Sequence, residues 1–280
     1  MTQSLSQLRQ RPHLSNSQIN QILNLCSLQF YYERVAKLPK PFVSNSLVFG
    51  TCVHKVLEHY YQWIQRGEQP DVDSHIEMFS ELWKKANNEQ NIKFGAKTSF
   101  ESLADTGRKV VKCFIDNADP KEKVLSTSQA FCVPVHAPDG SVVEDPLVGE
   151  FDLVVERDGK PVIVDFKTAA RKWSAGHEHK SFQATVYSYA WHQMYGGIRP
   201  EVAFKVVTKA KEPSHEYRST RRSAKQELRM ATLISKAQQI VKHELWYPAE
   251  TGFYCGDCPY ASACKEWGSS SGGRRVQKAA

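Results

Sequence analysis

The chain of 280 residues has no apolar run approaching the ~20 residues that a bilayer-crossing helix needs. Its opening stretch, Met1-Thr2-Gln3-Ser4-Leu5-Ser6-Gln7, lacks the apolar h-region of a secretory signal. No Gly-x-x-x-x-Gly-Lys-Ser/Thr loop is present, so no P-loop motor is encoded. Internal repeats are also missing, which excludes a solenoid or a propeller. These absences lead us to expect a soluble, cytoplasmic protein without a membrane partner. In such a reducing compartment the seven cysteines are not expected to form disulfides. Cys52, Cys113 and Cys132 stand singly in apolar surroundings and read as core residues.

What is present suffices for one large core or two modest ones, with 41% hydrophobic and 24% charged residues. Lys and Arg number 37 against 30 Asp and Glu, a surplus that suits a polyanionic partner without identifying one. Residues 1–14 are polar and expected to be flexible. Ser15-Asn16-Ser17 offers caps for a predicted helix over 17–35, with Ile19, Ile22, Leu23, Cys26 and Phe30 at helical spacing. A second predicted helix covers 47–65, its stripe formed by Val53, Val56, Leu57, Tyr60 and Ile64. His54 and Glu58 lie four apart on another side of it. Residues 68–127 read as a helical insertion to which no chemistry is assigned.

From about residue 129 the period changes to two. Strands are predicted at 129–136, 147–156, 161–168 and 201–208, with helices over 178–195 and 222–244. The tail, 268–280, is rich in Ser, Gly and basic residues and is expected to be disordered.

Asp158-Gly159 lies between two β-rich runs, a strong two-residue hairpin signal. With those two residues as the loop, Asp152 faces Asp165 and Glu150 faces Lys167. Alternation then places Phe151, Leu153 and Val155 with Val162, Val164 and Phe166 on an apolar reverse face. Two opposed carboxylates repel, so a neutralising group is expected. A hard divalent cation, Mg2+ or Mn2+, is the natural candidate. The same pattern also fits a solvated polar face on an edge hairpin. The basic residues Lys205, Lys209, Lys211, Arg218, Arg221, Arg222, Lys225 and Arg229 could track a phosphate backbone or form a solvated face.

Cys255-x-x-Cys258 followed by Cys264 places three thiols within ten residues (248–267 is the cysteine region), which favours a metal over a disulfide. By spacing alone a four-cysteine zinc site remains open, as does a buried core role for Cys26.

The sequence Gly149-Glu150-Phe151-Asp152, followed by Val162-Ile163-Val164-Asp165-Phe166-Lys167-Thr168, resembles the core of the PD-(D/E)XK nucleases. It is most similar to the RecB-like branch, which includes the AddB subunit and the CRISPR adaptation nucleases. Gly50-Thr51-Cys52-Val53-His54-Lys55-Val56-Leu57-Glu58 resembles the branch's upstream histidine helix. Gln183-Ala184-Thr185-Val186-Tyr187 resembles its downstream Gln-x-x-x-Tyr helix, and Asn24-Leu25-Cys26-Ser27-Leu28-Gln29-Phe30-Tyr31-Tyr32 resembles its N-terminal cysteine element. These motifs span most of 15–267, with 68–127 outside the likeness.

The resemblance implies an α/β fold, restriction-endonuclease-like, with a central mixed β-sheet flanked by helices in one nuclease domain over 15–267. It implies that His54, Asp152, Asp165 and the backbone carbonyl of Phe166 hold the metal, and that Lys167 orients or helps deprotonate the attacking water. A histidine ligand suggests that Mn2+ supports activity well. Gln183 and Tyr187 are implied to contact DNA or to support the site. A [4Fe–4S] cluster on Cys26, Cys255, Cys258 and Cys264 is implied as a structural tie between the two ends of the domain.

The function so implied is a DNA nuclease, chiefly a single-strand exonuclease, in repair, recombination or CRISPR adaptation, with any unwinding left to a helicase partner. Two rivals are a nuclease-fold protein that binds or scaffolds without cutting, and an iron–sulfur redox sensor. The intact Asp/Asp/Lys set opposes the first, and the second lacks an output domain. For the cluster, an anaerobic preparation is expected to be brown and to carry about four irons per chain. Colourless protein holding a single zinc would overturn it.

Overall fold

The computed structural model describes residues 3–250 and 252–268, so the tail predicted at 268–280 lies outside the described residues except for Gly268. The segment expected to be flexible carries a short helix, α1 (Leu5–Leu8), that packs on two strands of the sheet, and Leu14 behind it is buried and bridges to Leu147. Burial of that one leucine against the sheet supplies the anchor that a polar segment otherwise lacks.

The helix predicted over 17–35 is broken into two. A capping box of Ser15 and Gln18 starts α2 (Asn16–Asn20), which widens into a π-turn over Gln21–Leu25. At Cys26 the backbone is extended, and helix resumes as α3 (Ser27–Phe30) and a second π-turn, Tyr31–Val35. The break has a physical cause. The Cys26 sulfur caps the next turn by accepting from the Gln29 amide, while Leu28 N–H and Ser27 Oγ both donate to the Tyr247 carbonyl.

A small parallel pair, β1 (Val43–Ser44) with β2 (Ile92–Lys93), flanks the long helix α4 (Asn45–Gln65). Val53, Val56, Leu57, Tyr60 and Ile64 are buried along α4, as their spacing predicts. Two further helices, α5 (Val72–Glu89) and α6 (Phe100–Asp116), fill most of the predicted helical insertion. Its last residues belong instead to β3 (Lys123–Val133), whose first half alternates only between exposed and half-buried positions, with no fully buried residue before Ala130.

Among the described residues the main sheet has five strands in the order β3, β4 (Leu147–Arg157), β5 (Lys160–Ala169), β6 (Glu201–Thr208) and β7 (His215–Arg221). All neighbours are antiparallel except β5 with β6, which are parallel. The crossover between those two runs through α7 (His177–Lys180) and α8 (Phe182–Tyr195); α9 (Ala224–Lys242) and α10 (Ala261–Glu266) follow the sheet. Asp158 and Gly159 both have positive φ, 50° and 71°, as a two-residue turn matched to the twist of its strands requires.

Both faces of the sheet are covered. α4, α5 and α6 pack over Leu153, Val155, Val162, Val164 and Phe166, while α8 and α9 pack over Phe151, Val154, Ile163 and Phe204. This corrects the expectation of one apolar and one carboxylate-bearing face. Val154 and Ile163 are 1% and 0% exposed on the second face, and Phe151 lies across the sheet from Leu153. Strict alternation fails at Asp152, where the residue between its neighbours' cross-strand partners, Ser128, has φ of 46° and kinks the rung.

α5 and α6 approach so closely that a Cβ on Gly107 would overlap the ring of the fully buried Phe79. Alanine ordinarily stabilises a helix interior by ~1 kcal/mol over glycine, but overpacking reverses the sign. Gly107→Ala should therefore lower stability by about 1–3 kcal/mol in urea titrations. An unchanged or higher midpoint would show that Phe79 moves aside freely.

Candidate active site

The β4–β5 ladder pairs Arg157 with Lys160 up to Leu153 with Val164 and then stops. Beyond that rung β4 stays with β3, and β5 continues along β6. The two strands fork at Asp152 and Asp165, so these residues are not paired across the ladder as predicted. Parting leaves the Phe166 amide without a strand partner. The Asp152 carboxylate supplies one, Oδ2 accepting from Phe166 N at 3.0 Å. A side chain thus replaces a backbone rung, which turns the carboxylate into the fork.

Asp165 is fully buried. Its Oδ1 accepts from the Tyr187 hydroxyl at 3.1 Å, and that hydroxyl accepts from Gln183 Nε2 at 2.8 Å. The Gln183–Tyr187 pair, four apart on α8, therefore stands behind Asp165 and holds it. Burial, then Asp165 and Asp152, keep the Tyr187 phenol well above its ordinary pKa, so it remains a neutral donor. Asp165 Oδ2 is buried and pairs with Lys167 Nζ at 2.7 Å. Burial, the largest influence on Lys167, disfavours its charge. The Asp165 and Asp152 carboxylates together outweigh that and raise its pKa above the usual lysine value. In the metal-free protein Lys167 is held as a cation.

From the other side α4 brings His54, whose Nδ1 is 3.3 Å from Asp152 Oδ2 and whose ring stands edge-on to Phe166. His54, Asp152 and Phe166 line a cleft of about 440 Å3 between α4 and the fork. Burial and then Asp165 raise the Asp152 pKa from 3.8 to about 6, partly opposed by His54, Lys167 and the Phe166 amide. Glu150, predicted opposite Lys167, instead lines the cleft with Glu58, and burial followed by Glu58 and Asp152 raises its pKa.

Among the described residues no three His, Cys, Asp or Glu side chains are already drawn together tightly enough to hold an ion. The donor set still fits a hard divalent cation. Asp165 is a fully buried carboxylate whose Oδ2 has Lys167 as its one close partner, a second desolvated carboxylate lies nearby, and an imidazole borders it. Phe166 is braced from behind, where Tyr61 stacks on its ring and hydrogen-bonds buried Lys205, itself paired with Glu122.

The four cysteines of the predicted cluster come from both ends of the described chain into one neighbourhood. Cys26, Cys258 and Cys264 pack around Leu28, Tyr32 and Tyr260. Burial raises the Cys264 thiol pKa first, followed by Cys26, Cys258 and Cys255 acting through space. All four are free thiols. Among the described residues they are not drawn together tightly enough to form a metal site.

The basic stretch does not form one phosphate track. Lys205 and Arg222 are buried, the first answered by Glu122 and the second by the carbonyls of Glu178, His179 and Ser181. Arg218 and Arg221 pair with Glu216 and Glu201. Period-two placement on β6 and β7 scatters these residues over both faces. Sequence reasoning missed Ser46, Leu47 and Ser128, which also line the cleft. Nothing in their residue types signals it, because their role depends on where α4 meets the fork.

No curated protein matches the chain. The chain belongs to the PD-(D/E)XK nuclease superfamily, whose profile matches residues 13–265. Nucleases of this superfamily generally use divalent metals such as Mg2+ or Mn2+. Among solved structures, a provisionally assigned exonuclease from Eubacterium rectale is similar at TM-score 0.56 and 14% identity, covering 97% of this chain and 94% of that one. At that identity the likeness is one of fold. The protein SSO0001 is similar at TM-score 0.39 and 10% identity, covering 85% of this chain and 91% of that one, too low to carry an argument.

The raised Asp152 pKa has a consequence for stability. As pH rises from 3.8 to about 6 the unfolded chain loses this proton before the folded one does, so metal-free protein loses stability across that window. Asp152→Asn keeps an acceptor for Phe166 and removes the charge. It should stabilise the metal-free protein at pH 7 by on the order of 1–3 kcal/mol, read by thermal melting in chelator. A lower melting temperature for the variant would refute this account of the fork.

Proposed function

We propose that this chain is a divalent-metal-dependent deoxyribonuclease acting chiefly as a single-strand exonuclease. The observation that carries the reading is the pair of desolvated carboxylates at the fork, Asp165 with one oxygen fixed by Tyr187 and the other on Lys167, and Asp152, whose pKa burial and Asp165 raise. Two acids so close in a desolvated fork repel one another, and a cation relieves that repulsion. His54, Asp152, Asp165 and the carbonyl of Phe166 would hold that cation. When bound, such an ion lowers the pKa of water and offsets charge on a phosphate under attack.

The residues divide the remaining work. Tyr187 and Gln183 keep Asp165 in one orientation. Asp152 is kept in the fork by the Phe166 amide. Lys167 stabilises negative charge growing on the phosphate and orients or helps deprotonate the attacking water. His54 closes the α4 side of the site.

The RecB-like and AddB-like motifs support repair, recombination or CRISPR adaptation as the setting, with strand separation supplied by a helicase partner. The four neighbouring cysteines support a [4Fe–4S] cluster as a structural clasp on Cys26, Cys255, Cys258 and Cys264, with zinc as the other occupant their chemistry allows. Purified protein with Mn2+ or Mg2+ is expected to degrade end-labelled single-stranded DNA, and Asp165→Ala to reduce this by at least about 1000-fold. Wild-type activity in the variant would reject the assigned site.

A further inference from the structure

The cleft is electrostatically lopsided. Toward the fork it is lined by Glu58, Glu150 and Asp152, with Lys55 and His54 beside them. The three carboxylates there outnumber the lysine, so a phosphate backbone is disfavoured along that wall beyond the metal position. Toward the start of α4 the lining is Ser46, Leu47, Gly50 and Thr51, with no acid. A strand leaving the site therefore runs along α4 toward its first turn.

Lys209 stands at that end. It follows β6, and its amide donates to the Ala169 carbonyl at 2.7 Å, which ties it to the strand that carries Asp165 and Lys167. Its Nζ lies 3.4 Å from Ser46 Oγ and 5.5 Å from the centre of the Phe49 ring. Burial is the one influence that lowers its pKa, and among the described residues no carboxylate pairs with it. Lys205, four residues earlier, is by contrast answered by Glu122 at 2.8 Å. A part-desolvated ammonium without a counter-charge gains from any anion brought to it. Beside it Leu47 is 64% exposed, although Val48 and Phe49 next to it on the same helix are buried. The surface between them is open, since a Cβ added at Gly50 would meet nothing within 4 Å.

We propose that Lys209 and Leu47 form a single-strand rest at the mouth of the cleft. The ammonium takes a backbone phosphate and the leucine side chain takes the face of a base. From Ser46 to His54 the helix rises about 12 Å, so the phosphate at Lys209 lies beyond the one being cleaved. A base presents an apolar face whatever its identity, so this contact selects unpaired strands over duplex without reading sequence. The inference rests on the nuclease reading above and names the strand path for that same site.

The test uses full-length Asp165→Asn protein with Mg2+ and fluorescent oligothymidylate, with Kd measured across a salt series. Adding Lys209→Gln is expected to weaken binding roughly threefold to tenfold and to reduce the slope of log Kd against log salt by about 0.7, the value for one phosphate contact on a single strand. Lys209→Arg should keep the slope. Leu47→Ser should weaken binding without altering it. A dinucleotide, too short to reach from the fork to Lys209, should bind equally well to protein with and without Lys209→Gln. An unchanged slope and Kd in Lys209→Gln, or an equal loss with the dinucleotide, overturns the proposal. Wild-type protein that leaves single-stranded DNA intact in Mn2+ and Mg2+ sinks the nuclease reading itself, whatever Lys209 does.

Discussion

Everything at the site depends on one hydrogen bond, from the Phe166 amide to the Asp152 carboxylate. A sheet in which β4 and β5 stayed paired to their ends would have no gap there, and its backbone groups would satisfy one another. Because β5 runs on beside β6 while β4 stays with β3, an amide is released just where two acidic residues stand. Asp152 fills the vacancy and is drawn out of solvent in doing so. The electrostatic strain that follows, two desolvated carboxylates close together, is offset in part by Lys167 and His54.

The fork is held from both faces. On one, α8 presents Tyr187 to Asp165 with Gln183 behind it. On the other, α4 presents His54, and Tyr61 of the same helix stacks on Phe166 while holding Lys205. Buried polar groups linked in this way rigidify a site only when each member is satisfied. Here Asp165 is held at both oxygens, Oδ1 by Tyr187 and Oδ2 by Lys167. The Cys26 break and the Tyr247 carbonyl play the corresponding part at the periphery, joining the first helices to the C-terminal segment more than two hundred residues away.

Much of this was legible beforehand. The hairpin turn, the stripe of α4, the run of β6 over 201–208 and the membership of Asp152, Asp165, Lys167 and His54 in one site follow from local pattern and motif order. Elsewhere the pattern was overridden. Residues 17–35 have helical spacing throughout, yet a thiol cap and two bonds to a distant carbonyl break the helix at Cys26. The first half of β3 buries no side chain fully, so it lacks the apolar alternation that marks a strand in sequence. Lys205 and Arg222 look like surface charges and are buried, one by an ion pair and one by backbone carbonyls.

The sequence by itself determined the superfamily, the strand–turn–strand that carries the acids, and the residue types able to hold a cation, since these depend on short-range order and on chemistry. Only the tertiary structure decided how the acids meet. Forking, kinking at Ser128 and the choice of neighbour for each strand arise from competition among distant segments for the same backbone hydrogen bonds. That competition also sets which lysines find a carboxylate and which, like Lys209, rest on a serine hydroxyl instead.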